Sequence, residues 1–117
     1  MSRIPQKGRK ARWEPLRSIA SSAVTASYAI VGTVTTNPAQ IVVIINNATT
    51  DVTVSFDGVN DMDYIPHGTV REYNLGSATQ DTPNMECMEL PANTGVYVKG
   101  TAGTGNIYVI IIYQSEV

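Results

Sequence analysis

The sequence predicts an all-β fold, an antiparallel β-sandwich of jelly-roll-like winding, preceded by an extended basic N-terminal arm. Three observations carry that expectation. From Ala29 onward Val, Ile, Thr and Tyr dominate, and the apolar residues lack the spacing of three and four that a helix needs. Gly, Pro, Asn and Asp punctuate this text every eight to twelve residues, which bounds short strands. The charge is segregated: Arg3, Lys7, Arg9, Lys10, Arg12 and Arg17 are six of the eight Lys and Arg residues. Against Glu14 they leave residues 1–17 at +5, while the remainder carries Arg71 and Lys99 against nine acids, and the whole chain stands at −2. At 117 residues there is room for one domain, so the division is an arm over residues 1–25 and a sandwich over 26–117.

Within the body, strands are expected near residues 28–34, 40–46, 50–56, 63–65, 69–75, 86–90, 95–99 and 106–114. In the third of these, Val52, Val54 and Phe56 alternate with Thr53 and Ser55, so one face is buried and the other wet. Residues 41–45 and 107–113 are apolar on both faces, as central strands are, and two dry faces hint at a partner subunit. Asn46-Asn47-Ala48-Thr49 suits a tight hairpin, because Asn tolerates positive φ. A longer loop begins at Asp57-Gly58, a turn falls at Pro66-His67-Gly68, and Gly100 to Gly105 reads as the hairpin turn before the last strand. Eight short strands without helices fit a jelly roll, with an immunoglobulin-like sandwich as the rival winding.

The residue inventory argues against catalysis and against a resident metal or cofactor. One cysteine, Cys87, excludes an internal disulfide, and one thiol with one histidine cannot complete a four-ligand zinc site. Asp57, Asn60, Asp61 and Asp63 gather oxygen ligands within seven residues, yet the EF-hand spacing and its terminal Glu are missing. Turn and strand-end capping explains them, and a secondary role as a loop contact is the alternative. His67 has no recognisable nucleophile elbow beside it, and a surface turn is its expected place. A phosphate loop at Gly100 to Gly105 is excluded because a strand, not a helix, follows. Apolar runs fall short of the roughly 20 residues of a membrane helix, and Trp13-Glu14-Pro15 interrupts any secretory h-region, so no membrane partner is expected.

The arm admits three readings: phosphate neutralisation on nucleic acid, a solvated tail, or a docking arm. Docking is favoured over nucleic acid. Pro5 and Pro15 resist helix, Trp13 and Leu16 supply apolar anchors, and arginines pair with carboxylates on a neighbour. The expected partner-binding residues are Arg3, Lys7, Arg9, Lys10, Arg12, Trp13 and Arg17.

Three stretches carry a resemblance: Asn37-Pro38-Ala39-Gln40 running into residues 41–46, the segment from Val54 to Pro66, and Gly95-Val96-Tyr97-Val98-Lys99-Gly100 close to Gly103-Thr104-Gly105-Asn106. They make the chain, over roughly residues 28–113, similar to small virion structural proteins of tailed bacteriophages. The resemblance implies a non-enzymatic β-sandwich present in many copies, made in the host bacterial cytoplasm and resident in the virion. Its partners would be the major capsid protein, or portal and tail proteins, together with further copies of itself. Capsid decoration (cement) is the leading expectation, with a ring or collar component at the portal or head-tail junction as the nearest alternative. A carbohydrate-binding module, using Tyr97 or Tyr108 as a platform, is the alternative from another class.

Overall fold

A computed structural model describes residues 9–75 and 89–116. Nine strands are found there: β1 (Arg9–Trp13), β2 (Arg17–Ala20), β3 (Ala29–Ile30), β4 (Ile41–Ala48), β5 (Val52–Ser55), β6 (Asp63–Ile65), β7 (Thr69–Asn74), β8 (Tyr97–Gly100) and β9 (Gly105–Glu116). They form two antiparallel sheets. The larger has the order β1-β9-β4-β7, with β2 also pairing to β9, and the smaller has the order β3-β8-β5-β6. This is the β-sandwich that the strand pattern predicts. Among the described residues no helix is long and apolar enough to cross a membrane.

The apolar runs lie where continuous hydrophobicity places them, at the centre of the larger sheet. Val42 and Ile44 of β4, with Ile107, Val109 and Ile111 of β9, point inward and are at most 1 % exposed. They meet Val52, Val54, Ile65 and Val98 from the smaller sheet, and Val24, Val31 and Val96 close the ends. Removing each such side chain from water contributes roughly 1.5 to 3 kcal/mol. The rings of Phe56 and Tyr73 tie the two sheets edge to face, with centroids 5.5 Å apart.

Two expectations are corrected. Asn46-Asn47-Ala48-Thr49 is not a hairpin: β4 continues through Ala48, and the chain then crosses into the opposite sheet to start β5. Residues 100–105 likewise carry the chain from β8 across to β9 rather than turning within one sheet. Of the strand expected over 86–90, Leu90 makes only an isolated bridge to Ala39, while residues 86–88, including Cys87, lie outside the described residues. The segment expected as an extended arm over residues 1–25 is, from Arg9 onward, built into the larger sheet. β1 and β2 both pair with β9, Arg9 opposite Glu116 and Arg17 opposite Val109.

The crossing after β4 is held by Asn46, which is fully buried. Its amide donates to the carbonyls of Thr50 (3.1 Å) and Ile65 (3.0 Å), and its own carbonyl accepts from the Ala48 N–H at 3.2 Å. A buried side chain that bonds three backbone groups stands in for ladder partners that the crossing removes. Asn46→Ala is expected to lower the unfolding free energy by about 1 to 3 kcal/mol, because the buried Ile65 carbonyl and the partly buried Thr50 carbonyl lose their donor. Urea denaturation measures this, and an unchanged midpoint would show that those carbonyls do not depend on Asn46.

Candidate interaction surface

The N-terminal strands are not one continuous ribbon. Between the pairs Trp13↔Ile112 and Arg17↔Val109 this segment has three residues, Glu14, Pro15 and Leu16, where β9 has only Ile110 and Ile111. One surplus residue makes a bulge, and Pro15 suits it because it has no N–H to donate to the ladder. The distortion turns Glu14 and Arg17 into the protein and leaves Trp13 and Leu16 outside, 63 % and 62 % exposed.

Inside, Arg17 and Glu14 form a clamp. The Arg17 guanidinium donates to Glu14 Oε1 at 2.8 Å, to the Thr33 and Val34 carbonyls at 2.8 and 2.9 Å, and to the Pro15 carbonyl at 3.1 Å. The Glu14 carboxylate also accepts from the Thr36 N–H, from the Asn37 N–H at 2.8 Å and from Asn37 Nδ2 at 2.9 Å. Burial alone would raise the Glu14 carboxyl. The donors from Asn37, Thr36 and Arg17 outweigh it and hold the group below its ordinary range. The pair thus staples the N-terminal segment to residues 33–37.

Arg17, expected on a contact surface, is therefore corrected: it is buried, and its charge is used within the fold. Arg12 remains exposed, with Nε donating to Ser115 Oγ at 2.7 Å, and Lys10 is exposed beside it. The backbone of Arg9 is paired in β1. Arg3 and Lys7 lie outside the described residues.

Trp13 stands at the margin of a surface that the sequence only hinted at. On β4 the residues alternating with the core are Ile41, Val43 and Ile45, and on β9 they are Tyr108, Ile110 and Ile112. They pair directly, Ile41 with Ile112, Val43 with Ile110, and Ile45 with Tyr108, and each is only half-buried. Val70 of β7, 60 % exposed, extends the row from Ile45. The outer face of the larger sheet is consequently apolar across β9, β4 and part of β7. With strands about 4.8 Å apart and a rise of about 3.3 Å per residue, it covers roughly 200 Å² in projection. Contiguous apolar exposure, unlike apolar residues scattered singly, marks a candidate interaction site.

The acidic loop is not part of this surface. Asp57 accepts from the backbone of Asn60 and Val59 (2.8 Å each), from the Ser55 hydroxyl (2.7 Å) and from Asn60 Nδ2 (2.8 Å), and these donors hold its carboxyl well below the usual range. Asn60, itself exposed, is thus a partner of Asp57 within the loop. Asp61 is lowered by the Tyr28 hydroxyl (2.6 Å) and by Lys99 (3.0 Å), whose ammonium also lies over the Tyr28 ring at 4.7 Å. Burial would raise Asp63, but Tyr73, the Tyr64 N–H and Arg71 outweigh it and lower the carboxyl. Among the described residues no three His, Cys, Asp or Glu side chains gather as a metal site. Tyr97 and Tyr108 are half-buried strand residues rather than open platforms.

No protein-family model, curated protein or solved structure matches this chain.

Proposed function

We propose that this chain is a non-enzymatic structural protein of a tailed-phage virion, a capsid decoration (cement) protein that bridges neighbouring subunits of the shell. The observation that carries the docking part of this reading is the apolar outer face of the larger sheet, with Trp13 and Leu16 exposed beside it. Large aromatic anchors next to a dry patch are the usual centres of binding energy in protein interfaces. The virion part rests on the resemblance over residues 28–113. Strand orders β2-β9-β4-β7 and β3-β8-β5-β6 also support jelly-roll winding, in which successive strands alternate between two sheets.

The mechanism is thermodynamic. A protein that binds only the assembled shell stabilises that state by its binding free energy, multiplied over many sites. The basic residues before and within β1 add long-range attraction to an acidic shell surface, which salt weakens.

Deleting residues 1–17 would remove β1 and the Glu14–Arg17 clamp with it, so single substitutions on the surface are the cleaner test. Trp13→Ala and Ile110→Lys are each expected to leave a folded sandwich by circular dichroism and to cut occupancy on particles by about tenfold or more. Full occupancy by both variants would overturn the docking face. Imaging of decorated particles separates the shell from a collar: copies at lattice positions support decoration, and a single ring supports the junction.

A further inference from the structure

The two outer faces of the sandwich differ. Opposite the apolar face, the smaller sheet presents Thr53, Tyr64 and Lys99, which are neighbours across β5, β6 and β8. At one end of this sheet lies a groove of about 540 Å³, within the range of small-molecule sites. Its hydroxyls come from Thr49, Thr50, Thr53 and Thr101. Those of Thr53 and Thr101 carry no hydrogen bond within the described residues.

A preformed constellation stands at its side. Asp51 Oδ1 accepts from the His67 N–H at 2.8 Å and faces His67 Nδ1 at 2.9 Å, while Oδ2 accepts from the Tyr64 hydroxyl. With Nδ1 turned to the carboxylate, His67 Nε2 is left at the surface to hydrogen-bond a ligand. The Tyr64 side chain is tethered at its hydroxyl, and the residue remains 52 % exposed.

The chemistry of the lining selects its ligand. Among the described residues no Lys or Arg lines the groove, which disfavours phosphate, sulfate and nucleic acid. Tyr64 is, among the described residues, its only sizeable apolar surface, which disfavours lipids and hydrophobic peptides. Asp51 is its only carboxylate among the described residues, and three donors already face it, which is poor provision for a hard cation needing six or more oxygens. What remains suits a neutral molecule rich in hydroxyls, with a C–H face that can lie on an aromatic ring. Polarised C–H groups meet the negative face of the ring, and hydroxyl pairs bond the threonines and Nε2.

We propose that this groove binds a neutral oligosaccharide, with Tyr64 as the stacking platform, Thr53 and Thr101 as hydroxyl partners, and Asp51 as the positioning residue. The site is independent of the docking face. A subunit held to a shell by its larger sheet would turn this groove outward.

The test uses the full chain and a panel of neutral di- to tetrasaccharides built from glucose, mannose, galactose or N-acetylglucosamine, beside sulfated and sialylated counterparts. Amide shifts in NMR titrations are expected at Thr53, Tyr64 and Thr101 with at least one neutral member. Tyr64→Ala should weaken that binding about tenfold, whereas Tyr64→Phe keeps the ring and most of the affinity. Asp51→Asn should weaken binding, and Thr53→Val should weaken it without changing the fold. Circular dichroism of each variant and retained particle occupancy separate loss of the site from loss of the protein. No shift with any neutral sugar, a preference for the anionic ones, or binding indifferent to Tyr64→Ala would overturn the proposal while leaving the docking face untouched.

Discussion

Glu14→Ala is expected to destabilise the protein by about 3 to 5 kcal/mol, because it leaves the Arg17 guanidinium in the interior without its counter-charge. Both side chains are nearly inaccessible, 3 % for Glu14 and 6 % for Arg17. A domain of this size has roughly 5 to 15 kcal/mol in all, so the loss is a large share of the total. It should fall first on the N-terminal segment, since Thr36 and Asn37 also lose their acceptor. Hydrogen exchange of the β1 and β2 amides, with guanidinium denaturation, reads both effects. The double replacement Glu14→Leu with Arg17→Met removes both charges together and is expected to cost clearly less than Glu14→Ala alone. A loss below about 1 kcal/mol in Glu14→Ala would show that the charge is not confined. The pair also sets a pH dependence. The folded carboxyl lies below its ordinary range, so its contribution is complete above the unfolded value and disappears as pH falls through the folded one. Asp57, Asp61 and Asp63 shift in the same direction, as does Asp51, which the Tyr64 hydroxyl and His67 lower to about 2. Stability should be flat at neutral pH and decline on acidification, less steeply in Glu14→Ala.

Gly105→Ala is expected to cost about 2 to 5 kcal/mol, by strain and by collision. Gly105 opens β9 with φ at +93°, and a methyl group there would lie 2.3 Å from the Asn47 carbonyl oxygen and 3.0 Å from the Ala48 Cα. Those atoms belong to the backbone of β4, which pairs with β9 over eight residues, so relief requires opening the central ladder. Gly68→Ala is the control. Its φ of +75° is equally unfavourable for alanine, but nothing lies within 4 Å of the added carbon, so only about 1 to 2 kcal/mol of conformational cost is expected. Thermal unfolding of the two variants separates collision from strain, and equal losses would mean that the approach to Asn47 carries no cost.

The body's strands were legible because burial writes itself into composition. Residues 41–45 and 107–113 read as central strands and occupy the centre of the larger sheet. What the same text does not encode is which sheet a strand joins. Asn46-Asn47 and Gly103-Thr104-Gly105 carry ordinary turn chemistry, yet both precede or follow a crossing, and the distinction lies in contacts such as Asn46 with Ile65. β1 and β2 were illegible for another reason. RKARW and RSIA lack the apolar alternation of a covered strand, as an edge strand does, and their partner lies roughly ninety to one hundred positions away. Arg17 misled because its acceptors include the backbone carbonyls of Thr33 and Val34, which no residue type announces. Trp13 was legible as the sole tryptophan in a charged stretch, and it is exposed as a contact residue would be. The Asp51, Tyr64 and His67 grouping was not, since it is assembled across the β5–β6 pairing and the turn beyond.

β9 is the partner of β1, β2 and β4 alike. Until β9 is in place, β1 and β2 therefore have no sheet partner and β4 is paired on its β7 edge alone. Such distant pairing makes for slow closure. It also makes the position of Trp13 and the apolar face beside it depend on β9 being in place.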